Sequence, residues 1–85
     1  MIDEIKRLIN EYNSSGENKI WINLDLVQLI RKFYEEDETT KSITYRIYLN
    51  TIKIDIVWTL YKSDGETNIN VYIDYLYNIS CYSEQ

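Results

Sequence analysis

Four consecutive carboxylates, Glu35-Glu36-Asp37-Glu38, and two isolated ones, Asp55 and Asp74, are the residues of this 85-residue chain whose types and spacing suggest chemistry. Two carboxylates can divide between acid and base and hydrolyse a bond, but only where burial or a neighbouring charge drives their pKa values apart and a pocket holds the substrate. Asp55 and Asp74 lie in alternating, strand-like runs whose outward side chains form a flat, solvated face, which predicts neither condition. A divalent metal there would need more oxygen ligands than two aspartates supply. The chain has no histidine and a single cysteine, Cys81. Ser-His-Asp and Cys-His nucleophiles, His-based zinc sites and Cys-rich metal cages are therefore excluded. Its two glycines, Gly16 and Gly65, fall in predicted turns and build no phosphate-binding loop. The expectation is a protein that is not an enzyme and that uses no cofactor and no metal.

With 45% hydrophobic and 27% charged residues, the composition is that of a globular chain. Its length predicts a single domain, 1–85, burying roughly 60–65% of the surface of the unfolded chain. A lone cysteine cannot form an internal disulfide, so packing alone must hold the core, which suits a reducing compartment. Charges recur through MIDEIKRLIN, and no apolar run approaches the ~20 residues of a membrane span. A cytoplasmic location without membrane contact is expected, the host cytoplasm if the gene is viral. The triplets Asn13-Ser14-Ser15 and Asn78-Ile79-Ser80 then read as chance matches to a glycosylation motif. The net charge is −5, and no cluster of Lys and Arg offers a grip on phosphates, so direct nucleic-acid binding is not expected. An acidic chain suits a partner with a basic surface, long-range attraction raising the on-rate.

The elements that position these residues follow from periodicity. Ile2, Ile5, Leu8, Ile9 and Tyr12 form one stripe on a 3.6-residue period, predicting a helix over 2–12, with Asp3 and Glu4 in the first turn and Asn13-Ser14-Ser15-Gly16 ending it. KIWIN predicts a short extended segment at 19–22, an extra edge strand. Asn23 reads as an N-cap for a second helix over 24–36, on which Leu26, Val27, Leu29, Ile30, Phe33 and Tyr34 share a face roughly 160° wide. That helix would run into Glu35 to Glu38, anions at the end where its macrodipole disfavours them. From residue 42 the period becomes two, predicting strands over 42–50, 52–62 and 67–79. The fold class is α+β: two N-terminal helices on one face of a three-stranded antiparallel meander.

Register can be predicted by assuming two-residue turns at Asn50-Thr51 and Asp64-Gly65, the latter a type I′ signal. Leu49 then opposes Ile52, Ile47 opposes Ile54, Tyr45 opposes Ile56 and Ile43 opposes Trp58. Across the second hairpin Leu60 opposes Ile69, Trp58 opposes Val71, Ile56 opposes Ile73 and Ile54 opposes Tyr75. Every one of these pairs is apolar and on one face. The opposite, uncovered face reads in rows: Thr44, Val57, Tyr72; Arg46, Asp55, Asp74; Tyr48, Lys53, Leu76. Asp55 and Asp74 are thus expected side by side, with Arg46 as a neighbour. They read either as a solvated pair or as an acceptor for a partner's Arg or Lys, framed by Tyr48, Tyr61 and Tyr72. By the same parity Tyr45, Tyr75 and Tyr77 face the core, Tyr12 and Tyr34 lie on helix apolar faces, and Tyr82 joins the outward set. Outward tyrosines also follow from simple β-propensity, and a base-stacking platform is disfavoured by the nearby aspartates.

In size, in its Glu35-Glu36-Asp37-Glu38 cluster, and in its bias toward Ile, Asn, Lys and Tyr with no Ala, Pro or His, the chain resembles small acidic inhibitors encoded by bacteriophages and other mobile elements, including anti-CRISPR proteins and nucleic-acid mimics. Nine Lys and Arg residues set it apart from the most acidic DNA mimics. The resemblance implies a non-enzymatic inhibitor, a counter-defence protein that occupies a basic surface of a host defence or nucleic-acid-handling enzyme. Tyr48, Asp55, Tyr72 and Asp74 form one candidate surface, and Glu35, Glu36, Asp37 and Glu38 another. An immunity protein or antitoxin for a cationic toxin shares that physics. A homodimer through sheet faces or an edge strand is the structural alternative to a monomeric inhibitor.

Overall fold

A computed structural model describes residues 1–75 as one helix and one antiparallel sheet. Helix α1 spans Ile2–Ser15, a single 3-10 turn spans Leu24–Leu26, and strands β1 (Leu29–Glu36), β2 (Thr40–Tyr48), β3 (Ile52–Tyr61) and β4 (Thr67–Tyr75) pair in chain order. The predicted continuation of the last strand over 76–79, with Leu76, Tyr77 and Ile79, lies outside the described residues, as do the triplet Asn78-Ile79-Ser80, Cys81 and Tyr82. The α+β class and the antiparallel meander are as expected; the count of helices and strands is not.

The stripe on α1 works as the periodicity requires. Ile5 and Leu8 are buried against Tyr45, Ile47, Ile54 and Ile56 of β2 and β3, and these six form the core. Each is worth about 1.5–3 kcal/mol of apolar burial, which is what holds the helix on the sheet. The Tyr45 hydroxyl donates to the Glu4 carboxylate, so the one large polar tip reaching the core is satisfied from the helix. Among the described residues no buried side-chain N or O lacks a partner.

Residues 24–36 form no α-helix: Asn23 does cap a helical turn, accepting the Asp25 N–H at 3.0 Å, but the turn ends at Leu26 and a strand follows. Apolar residues at 29, 30, 33 and 34 fit a broad helical face, but they equally fit a strand that is apolar on both sides. In β1, Ile30 and Tyr34 oppose Ile47 and Ile43 on the helix-covered face, whereas Leu29 and Phe33 oppose Tyr48 and Thr44 on the other. Pairing with β2 satisfies the inward half of the β1 backbone, leaves the other half to solvent at the sheet edge, and also relieves the conflict at Glu35 to Glu38. A helix would end on four anions, but the chain instead turns there, with Asp37 N–H donating to Thr40 O at 2.9 Å. The expected edge strand at 19–22 is likewise absent. The Asn13 amide grips Ile20 on both sides, donating to its carbonyl at 2.9 Å and accepting from its N–H at 2.8 Å. One side chain thus supplies the pairing that a neighbouring strand would have given.

The predicted register between β2 and β3 is found pair for pair, closed by Leu49 N–H to Ile52 O at 2.9 Å. That between β3 and β4 is displaced by two residues: Trp58 opposes Ile69, Ile56 opposes Val71 and Ile54 opposes Ile73. The cause is the turn. Among the described residues only Gly65 takes a positive φ, +72°, and the loop is Lys62-Ser63-Asp64-Gly65, closed by Tyr61 N–H to Glu66 O at 2.8 Å. Asp64 keeps a negative φ and accepts the Glu66 N–H at 3.0 Å, so no type I′ turn forms. A shift of two preserves side-chain parity, so the faces are as expected and only the rows move.

Candidate functional site

The sheet face away from α1 carries no other described element. Its rows now run across four strands: Leu29, Tyr48, Lys53, Asp74; then Arg31, Arg46, Asp55, Tyr72; then Phe33, Thr44, Val57, Asn70; then Glu35, Ser42, Thr59, Asn68. Asp55 and Asp74 are therefore not opposed, and the expected carboxylate pair does not form. Asp55 has Tyr72 on one side and Arg46 on the other. The Arg46 guanidinium donates through Nε at 2.8 Å and through Nη2 at 3.0 Å, a two-pronged bond to both carboxylate oxygens. Phe33 of β1 lies beneath that guanidinium at 5.1 Å. Asp55 is only 16% exposed, and its carboxylate holds Arg46 well above the usual arginine range. Asp74 is 67% exposed and faces Lys53 at 3.3 Å. Both aspartates are matched by cations of this chain.

Tyr72, 57% exposed, and the partly exposed Tyr48 do face outward as parity requires, and Tyr61 is exposed at the end of β3. Tyr34 lies on a strand rather than a helix, and its hydroxyl donates to Glu36 at 2.5 Å. The hydrogen bond to that carboxylate raises the Tyr34 pKa. Tyr75 belongs to the helix-side face but is exposed.

The second candidate surface is a built structure. Asp37 Oδ1 accepts from the Thr39 and Thr40 N–H groups, each at 2.8 Å, and from both hydroxyls. The two backbone bonds, with the hydroxyls behind them, hold its pKa down to about 2. Lys62, from the β3–β4 loop, reaches across: its Nζ donates to Glu36 at 2.7 Å and to the Asp37 carbonyl at 2.6 Å, and its N–H donates to Thr39 O at 2.9 Å. The Lys62 bond, followed by that of Tyr34, lowers the Glu36 pKa. In a meander the β1–β2 turn and the β3–β4 loop share one end of the sheet, and Lys62 clasps them together. Glu36 and Asp37 are consumed in shaping that end, whereas Glu35 and Glu38 are exposed and unpartnered among the described residues.

Charge sorts along the same axis. Six acidic residues, Glu35, Glu36, Asp37, Glu38, Asp64 and Glu66, share this end with two lysines, Lys41 and Lys62. The other seven acidic and seven basic residues of 1–75 cancel. The whole charge excess of the described residues therefore sits at one end of the sheet. No three carboxylates or other ligating groups among the described residues converge closely enough to hold a metal ion, so this end is a surface rather than a cage.

Three exposed residues escaped the sequence reading. Arg31 and Phe33 were hidden by the helical assignment; the alternation Leu29, Arg31, Phe33, Glu35 against Ile30, Lys32, Tyr34, Glu36 is the signal that would have found them. Trp21 is 85% exposed, because its neighbours Ile20 and Ile22 turn inward and parity sends it out.

The architecture defines a small α+β domain with one helix on a four-stranded meander. Compared with protein-family models, with curated proteins and with solved structures, the chain matches none. No helix among the described residues is long and apolar enough to cross a membrane.

Proposed function

We propose that this chain is a non-enzymatic, protein-binding inhibitor that docks its acidic end on a basic surface of a nucleic-acid-handling protein. A phage or mobile-element counter-defence role of the anti-CRISPR kind fits that action. The observation that carries the reading is the one-ended charge: six carboxylates and two lysines share the β1–β2 turn, the β3–β4 loop and the strand ends beside them, whereas the remaining charges of residues 1–75 sum to zero. The open sheet face is a weaker candidate, since Asp55 and Asp74 are already neutralised by Arg46 and Lys53. Glu35, Glu38, Asp64 and Glu66 are the contact residues under this reading, with Glu36 and Asp37 holding their frame.

The test is capture of a partner from host lysate, identification of that partner, and titration of its nucleic-acid binding with the pure chain. The reading requires stoichiometric loss of nucleic-acid binding, and loss of capture by Glu35→Lys/Glu38→Lys but not by Asp74→Asn. A complex that survives 1 M salt, where the screening length is about 3 Å, and tolerates both reversals would overturn it.

A further inference from the structure

The sheet has two edges, and they are built differently. The β1 edge carries Arg31, Lys32, Glu35 and Glu36, four charges in eight residues, the usual protection against strand addition. The β4 edge carries no charged residue from Thr67 to Ile73. No described strand lies beyond it. Its backbone phase is set by the Tyr61 N–H to Glu66 O bond that closes the hairpin. Counting by alternate residues from that bond, Asn68, Asn70, Tyr72 and Asp74 hydrogen-bond to β3, and Thr67, Ile69, Val71 and Ile73 turn their N–H and C=O groups outward.

The outward set is self-complementary about Val71. Laid antiparallel on itself with Val71 at the dyad, the strand brings Ile69 opposite Ile73, Asn70 opposite Tyr72 and Asn68 opposite Asp74 of the second copy. All three centre pairs, Val71–Val71, Ile69–Ile73 and Ile73–Ile69, fall on residues whose backbone groups point outward, so the ladder continues without a break. On the helix side, Ile73, 46% exposed in the single chain, gains an apolar neighbour. On the open side, an asparagine amide meets each Asp74 and no like charges are opposed. Centring on Ile69 instead sets Ile73 against the turn residue Gly65 and leaves it uncovered. The antiparallel arrangement also sends the two acidic ends to opposite extremes of the joined sheet, so their repulsion does not oppose it.

We propose that β4 is a dimerisation edge, pairing antiparallel with β4 of a second copy about Val71 to give one continuous eight-stranded sheet with an isologous, two-fold interface. The proposal is independent of the acidic end and its partner.

Sedimentation equilibrium across a concentration series tests it, with far-UV circular dichroism to confirm that each variant is folded. The wild-type chain is expected to reach twice its 10.3 kDa mass. Asn68→Asp sets a carboxylate against Asp74 of the second copy twice per dimer and should weaken association roughly 2- to 30-fold. Asn68→Lys should tighten it by a similar factor, a gain that damage to the fold cannot imitate. Adding Asp74→Asn to Asn68→Asp should restore wild-type association. A chain that stays monomeric at millimolar concentration overturns the proposal, as does a dimer indifferent to all three variants. So does a monomer whose β4 edge instead takes up an unrelated strand.

Discussion

Asp37 is the residue on which the acidic end depends. Its Oδ1 gathers two backbone N–H groups and two hydroxyls, and the ionised form is the better acceptor for all four. The folded pKa of about 2 lies below the usual 3.8, so this contribution is complete above the usual value and is lost as pH falls through about 2. The amide resonances of Thr39 and Thr40 should titrate together with a midpoint near 2 in an NMR acid series. A midpoint at the usual aspartate value would refute the bonding described for this turn. Asp37→Asn retains an acceptor oxygen, so it should keep the turn while removing the acid dependence in that window. Asp37→Ala should lower the melting temperature further than Asn does. Neither difference was visible in the run Glu35-Glu36-Asp37-Glu38 read as four equivalent charges. The turn, which the helical assignment concealed, is what separates the aspartate that shapes from the glutamates that project.

At the level of elements, α1 and the β2–β3 hairpin were legible because each has one mainly apolar face and one mainly polar face, and a single period accounts for all but a few residues such as Lys41 and Val57. β1 was not. Its apolar residues lie on both faces, because Phe33 is needed on the open side as a shelf for Arg46 while Ile30 and Tyr34 are needed on the helix side. A two-faced strand and a broad helical face are the same pattern over six residues, and only the misplaced carboxylates argued for the strand. The β3–β4 register failed for a smaller reason, the choice between one and two positive-φ residues in Lys62-Ser63-Asp64-Gly65. The faces survived that error and the Asp55–Asp74 pair did not. Gly65 has open space where a Cβ would stand, so Gly65→Ala meets no clash and should cost about 1–2 kcal/mol through its φ of +72° alone, measured by urea unfolding. Gly65→Asn should cost less, since asparagine tolerates that region. Equal losses for the two would mean that the conformation of the loop is not what holds the register.

For the whole molecule, overall charge is the wrong quantity to reason from. A chain of net −5 suggests a diffuse attraction to anything basic, yet the described residues away from the β1–β2 turn and β3–β4 loop are neutral as a set. Association kinetics with the proposed basic partner should therefore respond to where a charge is removed. Glu38→Gln should slow association and flatten its salt dependence, whereas Asp25→Asn, which removes the same charge from the 3-10 turn beside the β2–β3 turn at the opposite end of the sheet, should leave both nearly unchanged; stopped-flow rates across a salt series decide this. Separation of charge along the sheet also makes the molecule an electric dipole, with its negative pole clasped by Lys62. In the field of a basic groove such a body feels a torque before it feels a contact. It arrives already turned, so that the selection of one face over all others begins in solution, at a distance set by the screening length rather than by the reach of any side chain.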